Sequence, residues 1–557
     1  MTEFNKPFPE LKIKKSKAAA ARILLKSLTY SFALFGLLFI LLLVVLANML
    51  GSPSVMVHPV PSRAVLTLDL DRPYPESRSD DLLAEFSEEP SLSFYDLIKA
   101  VNVAALDNKV QALVADVGNT SLGLAQIQDL REAVKAFRST GKKAYLYSSG
   151  MGSFGGGTDD YYLASAFDEI WMQPNTEIGI TGLNIEVPFL KGLLDKVGIT
   201  AEFYARHEYK NAAASFLNSA FTPQYREETE RLGQSLYDRI VADVCADRKL
   251  DENIFNRAPL SADEGLKEGL IDKTAFKPDL LEKVLDETKG EMIDVYDYAY
   301  SLEESGKKLP TIAFLVVDGT ISGGKSLSNP LQGESIVGSE TLIQQLDEIA
   351  NNKYVKALLL RINSPGGSYT ASAEIWNALS RLKEKRKLPI VVSMGDYAAS
   401  GGYFIALPGD KILAEASTVT GSIGVLGGKM VLAGLWDKLE INWGEVKFGD
   451  NAGILSANHK FSEREKEVFN RSLDNVYRDF TAKVAAARNI SPEKMDKLAR
   501  GRVWTGIQAV ENGLADEIGG IDRAVAYAKQ LGGIPPKSRF GIAYYPKAKT
   551  LQEKIAE

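Results

Sequence analysis

The sequence predicts an α/β fold built twice in tandem, preceded by one N-terminal transmembrane helix. Three features carry that reading: one apolar run near the N-terminus, a long-period internal repeat, and the same strand, helix, strand succession in each copy.

The apolar run comes first. From Ser27 through Ser62 there is no Asp, Glu, Lys or Arg, and residues 28–50 culminate in an almost pure Leu/Ile/Val stretch. A helix of about 20 such residues crosses a bilayer. The run is longer than the about 7–15 apolar residues of a signal peptide, and no clean small-x-small site follows it, so it reads as an uncleaved anchor. Lys6, Lys12, Lys14, Lys15, Lys17, Arg22 and Lys26 precede it, against Glu3 and Glu10. Positive charge is retained on the cytoplasmic side, which places the basic N-terminus 1–27 inside and everything beyond the juxtamembrane linker 51–62 outside.

The repeat comes next. Tyr161-Tyr162-Leu163-Ala164, Asp168-Glu169-Ile170, Thr176, Gly179 and Gly182 recur as Tyr403-Phe404-Ile405-Ala406, Asp410-Lys411-Ile412, Thr418, Gly421 and Gly424, at a constant offset of 242. Within each copy a short apolar run (Val110–Val117, Val355–Ile362) leads to a helical stretch (Leu124–Arg138, Ala371–Arg386) and then to another short run (Lys143–Ser148, Pro389–Met394). This is the pattern of parallel βαβ units. The polar stretch Ala299–Pro310 separates a first half, 63–298, from a second, 311–542, followed by a tail, 543–557.

Bulk properties agree. A chain of 557 residues exceeds the roughly 250–300 that one core supports. A net charge of −7 without a basic patch past the N-terminus argues against nucleic acid as partner. Cys245 is the only cysteine, which excludes an intramolecular disulfide and a zinc site built on several thiolates. His58, His207 and His459 are the only histidines, and none has a carboxylate arrangement that suggests a Ser-His-Asp triad.

Two glycine-bearing turns in the second half are where chemistry could sit. Asn363-Ser364-Pro365-Gly366-Gly367-Ser368 joins a strand to a helix, a place where backbone amides can hold an oxyanion, though any α/β protein has such turns. Ala399-Ser400-Gly401-Gly402-Tyr403 sets a serine among small residues at a helix start, where it is either a nucleophile or a helix cap. The first copy has Thr158, Asp159 and Asp160 at the places of Ser400, Gly401 and Gly402, and Asn119-Thr120-Ser121-Leu122 in place of Ser-Pro-Gly-Gly. The copies have specialised. A lysine can serve such a serine as base if burial lowers its pKa, but composition selects no particular lysine.

These two motifs, with Thr420-Gly421-Ser422-Ile423-Gly424 in the same order and spacing, resemble signal peptide peptidase A in its long, duplicated form. The resemblance implies two tandem domains of the Clp protease/crotonase-like fold and a Ser/Lys dyad split between them. Ser400 is then the nucleophile. Lys210, in Tyr209-Lys210-Asn211-Ala212 ahead of Phe216, is the general base. Ser422 orients the lysine, and the amides of Gly401 and of Gly366 or Gly367 form the oxyanion hole. No metal or other cofactor is implied. The substrates would be cleaved signal peptides and other apolar peptides, the location the outer face of the bacterial cytoplasmic membrane, and the assembly a homotetramer. Two rivals stand beside this reading: crotonase-type acyl-CoA chemistry, which requires a catalytic carboxylate, and a catalytically silent scaffold that keeps the fold.

Overall fold

The computed structural model describes residues 26–41, 58–78, 92–152, 156–302, 309–329 and 334–547. Residues 26–41 are helical and belong to a unit of their own, and the rest of the described chain, from His58 onward, forms a second unit. Among the described residues no helix is long and apolar enough to cross a membrane. The predicted span 28–50 extends past residue 41 into positions outside the described residues.

The first half supplies β1 (Ala64–Asp69), β2 (Val110–Asp116), β3 (Lys143–Ser148), β4 (Glu169–Met172), β5 (Thr200–Arg206), β6 (Lys273–Thr274) and β7 (Glu291–Asp294). The second supplies β8 (Thr311–Asp318), β9 (Val355–Ser364), β10 (Ile390–Ala399), β11 (Lys411–Ala414), β12 (Val419–Gly421), β13 (Val425–Val431), β14 (Val503–Thr505), β15 (Glu517–Ile518) and β16 (Gly541–Tyr545). In the first sheet the strands lie in the order β6-β4-β3-β2-β1-β7; the second, of eight strands, contains the path β15-β11-β10-β9-β8-β16 and a branch in which β12 pairs with the end of β10 and β14 pairs antiparallel with β12. Along these six-strand paths the order is the same and every pairing is parallel. The duplication read from the sequence is therefore a duplication of topology.

The central strands are buried on both faces, which is why β9 carries the unalternating apolar stretch Ala357–Leu360 and buries consecutive residues rather than every second one. Helices α1 (Leu124–Ser139) and α3 (Tyr369–Arg386) coincide with the two predicted helical stretches and α4 (Gly401–Ala406) with the helix start expected after Ser400, while α2 (Pro223–Arg248) and α5 (Glu463–Arg488) are long helices that the sequence reading did not mark. Boundaries differ in three places. β10 continues to Ala399 because β12 pairs with Tyr397–Ala399, so the strand reaches the residue before Ser400. A helix, Val295–Ser301, occupies the start of the expected linker 299–310. The expected tail begins inside β16, whose parallel pairing with β8 holds the chain to Tyr545.

The halves share one core. Phe314 and Leu359 of the second sheet belong to the same buried cluster as Leu97, Ile127 and Leu130 of the first half, and the Tyr95 and Phe314 rings meet at 4.6 Å. At this contact the fully buried Arg361 donates to both oxygens of Glu76, at 2.9 Å each. A bidentate pair of this kind fixes how the two surfaces fit, since leaving either charge alone in the interior is costly. A second tie is the antiparallel pairing of β5 with β13, which brings a first-half strand onto the second half.

Candidate active site

Ser400 stands at the abrupt junction of β10 and α4, with φ 54° and ψ −117°. A non-glycine residue in that region is strained. The strain is held by neighbours: Ser400 N donates to Gly421 O at 2.8 Å, and Phe404 N to Ser400 O at 2.9 Å. Its hydroxyl makes no helix-capping bond. The capping alternative is thereby set aside, and the Oγ faces Lys210 Nζ at 3.0 Å.

Lys210 arrives from the other half, in the turn that follows β5. That turn is fastened by Tyr209 N donating to Arg500 O at 3.2 Å, by the Glu208–Arg500 ion pair, and by the Arg502 guanidinium stacked 3.8 Å from the Tyr209 ring centre. Gly501 lies between those two arginines with φ +86°, and a Cβ there would stand 2.5 Å from the Lys210 backbone nitrogen. Only glycine allows this approach. Lys210 Nζ also contacts Ser422 Oγ at 2.8 Å and Ser422 O at 2.9 Å. Ser422 in turn is positioned by its own N–H donating to Arg502 O at 2.8 Å.

Burial lowers the Lys210 pKa from 10.5 to about 8, against the buried Glu228 carboxylate, which raises it. Desolvation disfavours the ammonium form, so near neutral pH a useful fraction is free amine. In that form two N–H groups can satisfy Ser422 while the lone pair faces the Ser400 hydroxyl, 3.0 Å away.

The turn 363–368 lies against the same serine. Gly366 N donates to Ser364 Oγ at 3.2 Å, whereas the amides of Gly367 and Gly401 have no acceptor among the described residues. A Cβ on Gly401 would come 3.3 Å from Gly367 N, so these two donors are neighbours. Gly366 and Gly367 have φ +104° and +151°, and a Cβ on Gly367 would meet Ile321 O at 2.0 Å, which explains why the turn needs both glycines. Of the glycines expected as oxyanion donors, 367 and 401 have the free amides, while 366 shapes the turn.

The equivalent place in the first half is filled by its own side chains. Asp71 Oδ1 accepts from Gly118 N at 2.8 Å and Asn119 N at 2.7 Å, and Asp160 Oδ1 accepts from Thr120 N at 2.8 Å. Thr158 donates its hydroxyl to Gly182 O at 2.9 Å. Carboxylates thus occupy the turn amides that the second half leaves open. Glu228, Gly501 and Asp71 were not singled out from the sequence, because no spacing links them to the motifs. Among the described residues no group of His, Cys, Asp and Glu is arranged to hold a metal ion.

Comparison with known proteins decides the family. The profile of peptidase family S49 matches residues 136–290 and again 382–534. The chain belongs to peptidase family S49. The two matches fall one in each half, in line with the repeated topology, and a Clp protease profile matches residues 334–419. Among S49 relatives, serine protease SPPA of the Arabidopsis thaliana chloroplast is 31% identical over 82% of this chain and 68% of its own. Protease 4 of Salmonella typhi is 30% identical over 84% and 76%, and Protease 4 of Haemophilus influenzae 30% over 88% and 83%. As an S49 peptidase, the protein is a serine protease.

Proposed function

We propose that this S49 peptidase cleaves apolar peptides, signal peptides in particular, with Ser400 as nucleophile and Lys210 as general base. The observation that carries the reading is the 3.0 Å approach of Lys210 Nζ to Ser400 Oγ across the two halves. Lys210 takes the hydroxyl proton as Oγ attacks the scissile carbonyl carbon, and negative charge moves to the carbonyl oxygen, where the Gly367 and Gly401 N–H groups receive it. The lysine ammonium then protonates the departing amine, leaving an acyl-serine. Water, deprotonated by the same amine, releases the acid and restores Ser400. Ser422 keeps the amine aligned through both steps.

The substrate reading is supported by a relative from Enterococcus faecium named for a signal peptide peptidase, 37% identical over 41% of this chain and 65% of its own. The charge-free run from Ser27 to Ser62 behind a basic N-terminus supports a single-pass anchor with both halves on the outer side of a bacterial cytoplasmic membrane. Assembly as a homotetramer belongs to the same reading. The test is hydrolysis of a fluorogenic apolar peptide by wild type, Ser400→Ala and Lys210→Ala. Both variants are expected to keep the fold and lose at least about a thousandfold in kcat. Normal cleavage by Ser400→Ala sinks the assignment; normal cleavage by Lys210→Ala alone requires another base.

A further inference from the structure

The turn Ala499-Arg500-Gly501-Arg502 meets both groups that fix the Lys210 amine. Arg500 O accepts from Tyr209 N at 3.2 Å, Arg502 O accepts from Ser422 N at 2.8 Å, and Gly501 N donates to Ile423 O at 2.8 Å. The lysine backbone is thereby held from one side and its serine partner from the other. The contact is strained on both sides, since Arg500 has φ +60° and Ser422 φ +50°. Such a turn keeps its shape only where its surroundings over-determine it. We propose that Tyr477 is a positioning residue of the peptidase site, its hydroxyl holding this turn in the conformation that aligns Lys210 with Ser400 and Ser422.

Tyr477 lies on α5, and its hydroxyl oxygen accepts from Arg500 N at 3.2 Å. The Arg500 amide stands just past the end of the helix Pro492–Leu498, where the chain turns left-handed and no helix carbonyl is there to receive it. The phenol supplies the missing acceptor. The ring is pinned from the first half: His207, the residue after β5, has φ +55° and packs on it with ring centres 4.8 Å apart. Tyr477 thus touches both the segment that carries the lysine and the turn that receives it.

The repeat supplies an internal comparison. Helices α2 and α5 start 240 positions apart, and Tyr237 stands 240 positions before Tyr477. The Tyr237 ring packs on Phe255 at 5.9 Å, while its hydroxyl makes no hydrogen bond among the described residues. An aromatic ring at this place in the helix is therefore common to both halves. The engaged hydroxyl belongs to the half whose turn meets Lys210. The inference rests on the Ser400–Lys210 reading above, and the phenol acts through the backbone rather than on the substrate.

The test measures kcat, KM and the pH profile of kcat/KM for the full chain in detergent on a fluorogenic apolar peptide, with Tyr477→Phe, Tyr237→Phe, Ser400→Ala and Lys210→Ala beside wild type. Phenylalanine keeps the ring on His207 and removes the acceptor. Tyr477→Phe is expected to lower kcat about tenfold with KM within about twofold of wild type, as a displaced amine would. It should also move the acidic limb to higher pH, because a loosened turn lets water reach Lys210. Burial raises the Tyr477 pKa, so the phenol is neutral across the profile and its loss removes no charge, while Asp496, Arg500, Glu208 and His207 around it stay in place. A smaller folded fraction lowers kcat without moving the limb. Tyr237→Phe is expected to match wild type. Wild-type kinetics in Tyr477→Phe, a lower kcat with an unmoved limb, or an equal loss in Tyr237→Phe would each overturn the proposal. Normal cleavage by Ser400→Ala or Lys210→Ala would overturn the dyad reading instead, so the two failures are told apart.

Discussion

Glu228 is the carboxylate whose field opposes the desolvation of Lys210. It is held in place by Asn211 Nδ2 and Val503 N, each donating at 2.8 Å, one from either half. Its position sets how far the lysine amine is lowered. Glu228→Gln removes the charge and keeps the shape. The Lys210 pKa should then fall further, moving the acidic limb of the kcat/KM profile to lower pH. An unmoved limb would mean that Glu228 acts through packing alone.

Lys210 itself is a stability liability below its folded pKa. Burial lowers it to about 8, so between about 8 and 10.5 the unfolded chain binds a proton that the folded one does not, and stability rises with pH through that window. Lys210→Met should therefore be more stable than wild type at pH 7, with the advantage shrinking toward pH 10. Thermal unfolding across that range checks it. A constant difference in Tm would show that the amine is not desolvated.

Gly501 is the backbone position on which the Lys210 turn rests. Alanine there meets both a positive φ and a contact of 2.5 Å with Lys210. Gly501→Ala should cost about 1–2 kcal/mol of stability and, by displacing the amine, about 10- to 100-fold in kcat. Wild-type turnover in this variant would show that the turn adjusts without moving Nζ.

Asp129 and Glu415 meet in the interior between the halves. A Cβ on Gly520 would lie 1.7 Å from Asp129 Oδ1 and 2.4 Å from Glu415 Oε1, so the two carboxyls flank one point. Burial raises Asp129 to about 7 and Glu415 well above its ordinary range, with Arg361 opposing both shifts. The folded state therefore keeps protons that the unfolded state gives up near pH 4, and stability falls as pH rises toward 7 and beyond. Glu415→Gln should flatten that decline. Tm recorded from pH 5 to pH 8 decides it, since an unaltered slope would place the buried proton elsewhere.

Much of this molecule was legible in the sequence because it depends on local pattern. Short, mainly apolar runs such as Val355–Ile362 had strand length and stood in a strand, helix, strand succession, and the repeat at a 242 offset announced a second copy of the same sheet. The strand-to-helix turn at Ser400 and the glycines around it were equally visible, since they are consecutive residues. Less was legible at strand ends. β10 reached Ala399, and β16 ran on to Tyr545, because each was extended by a neighbour remote in sequence.

The sequence by itself determined two α/β halves and a serine in a turn fit for a nucleophile. Lys210 came from a family resemblance, since nothing in its own surroundings distinguished it from other lysines. Only the tertiary structure decided that this lysine, 190 residues away, reaches Ser400, and that burial lowers its pKa. It also decided that the first half's equivalent turn is stopped by Asp71 and Asp160. The physical reason is common to all three. Proximity and desolvation belong to surfaces brought together by packing, and no pattern along a single strand or helix encodes what will be packed against it.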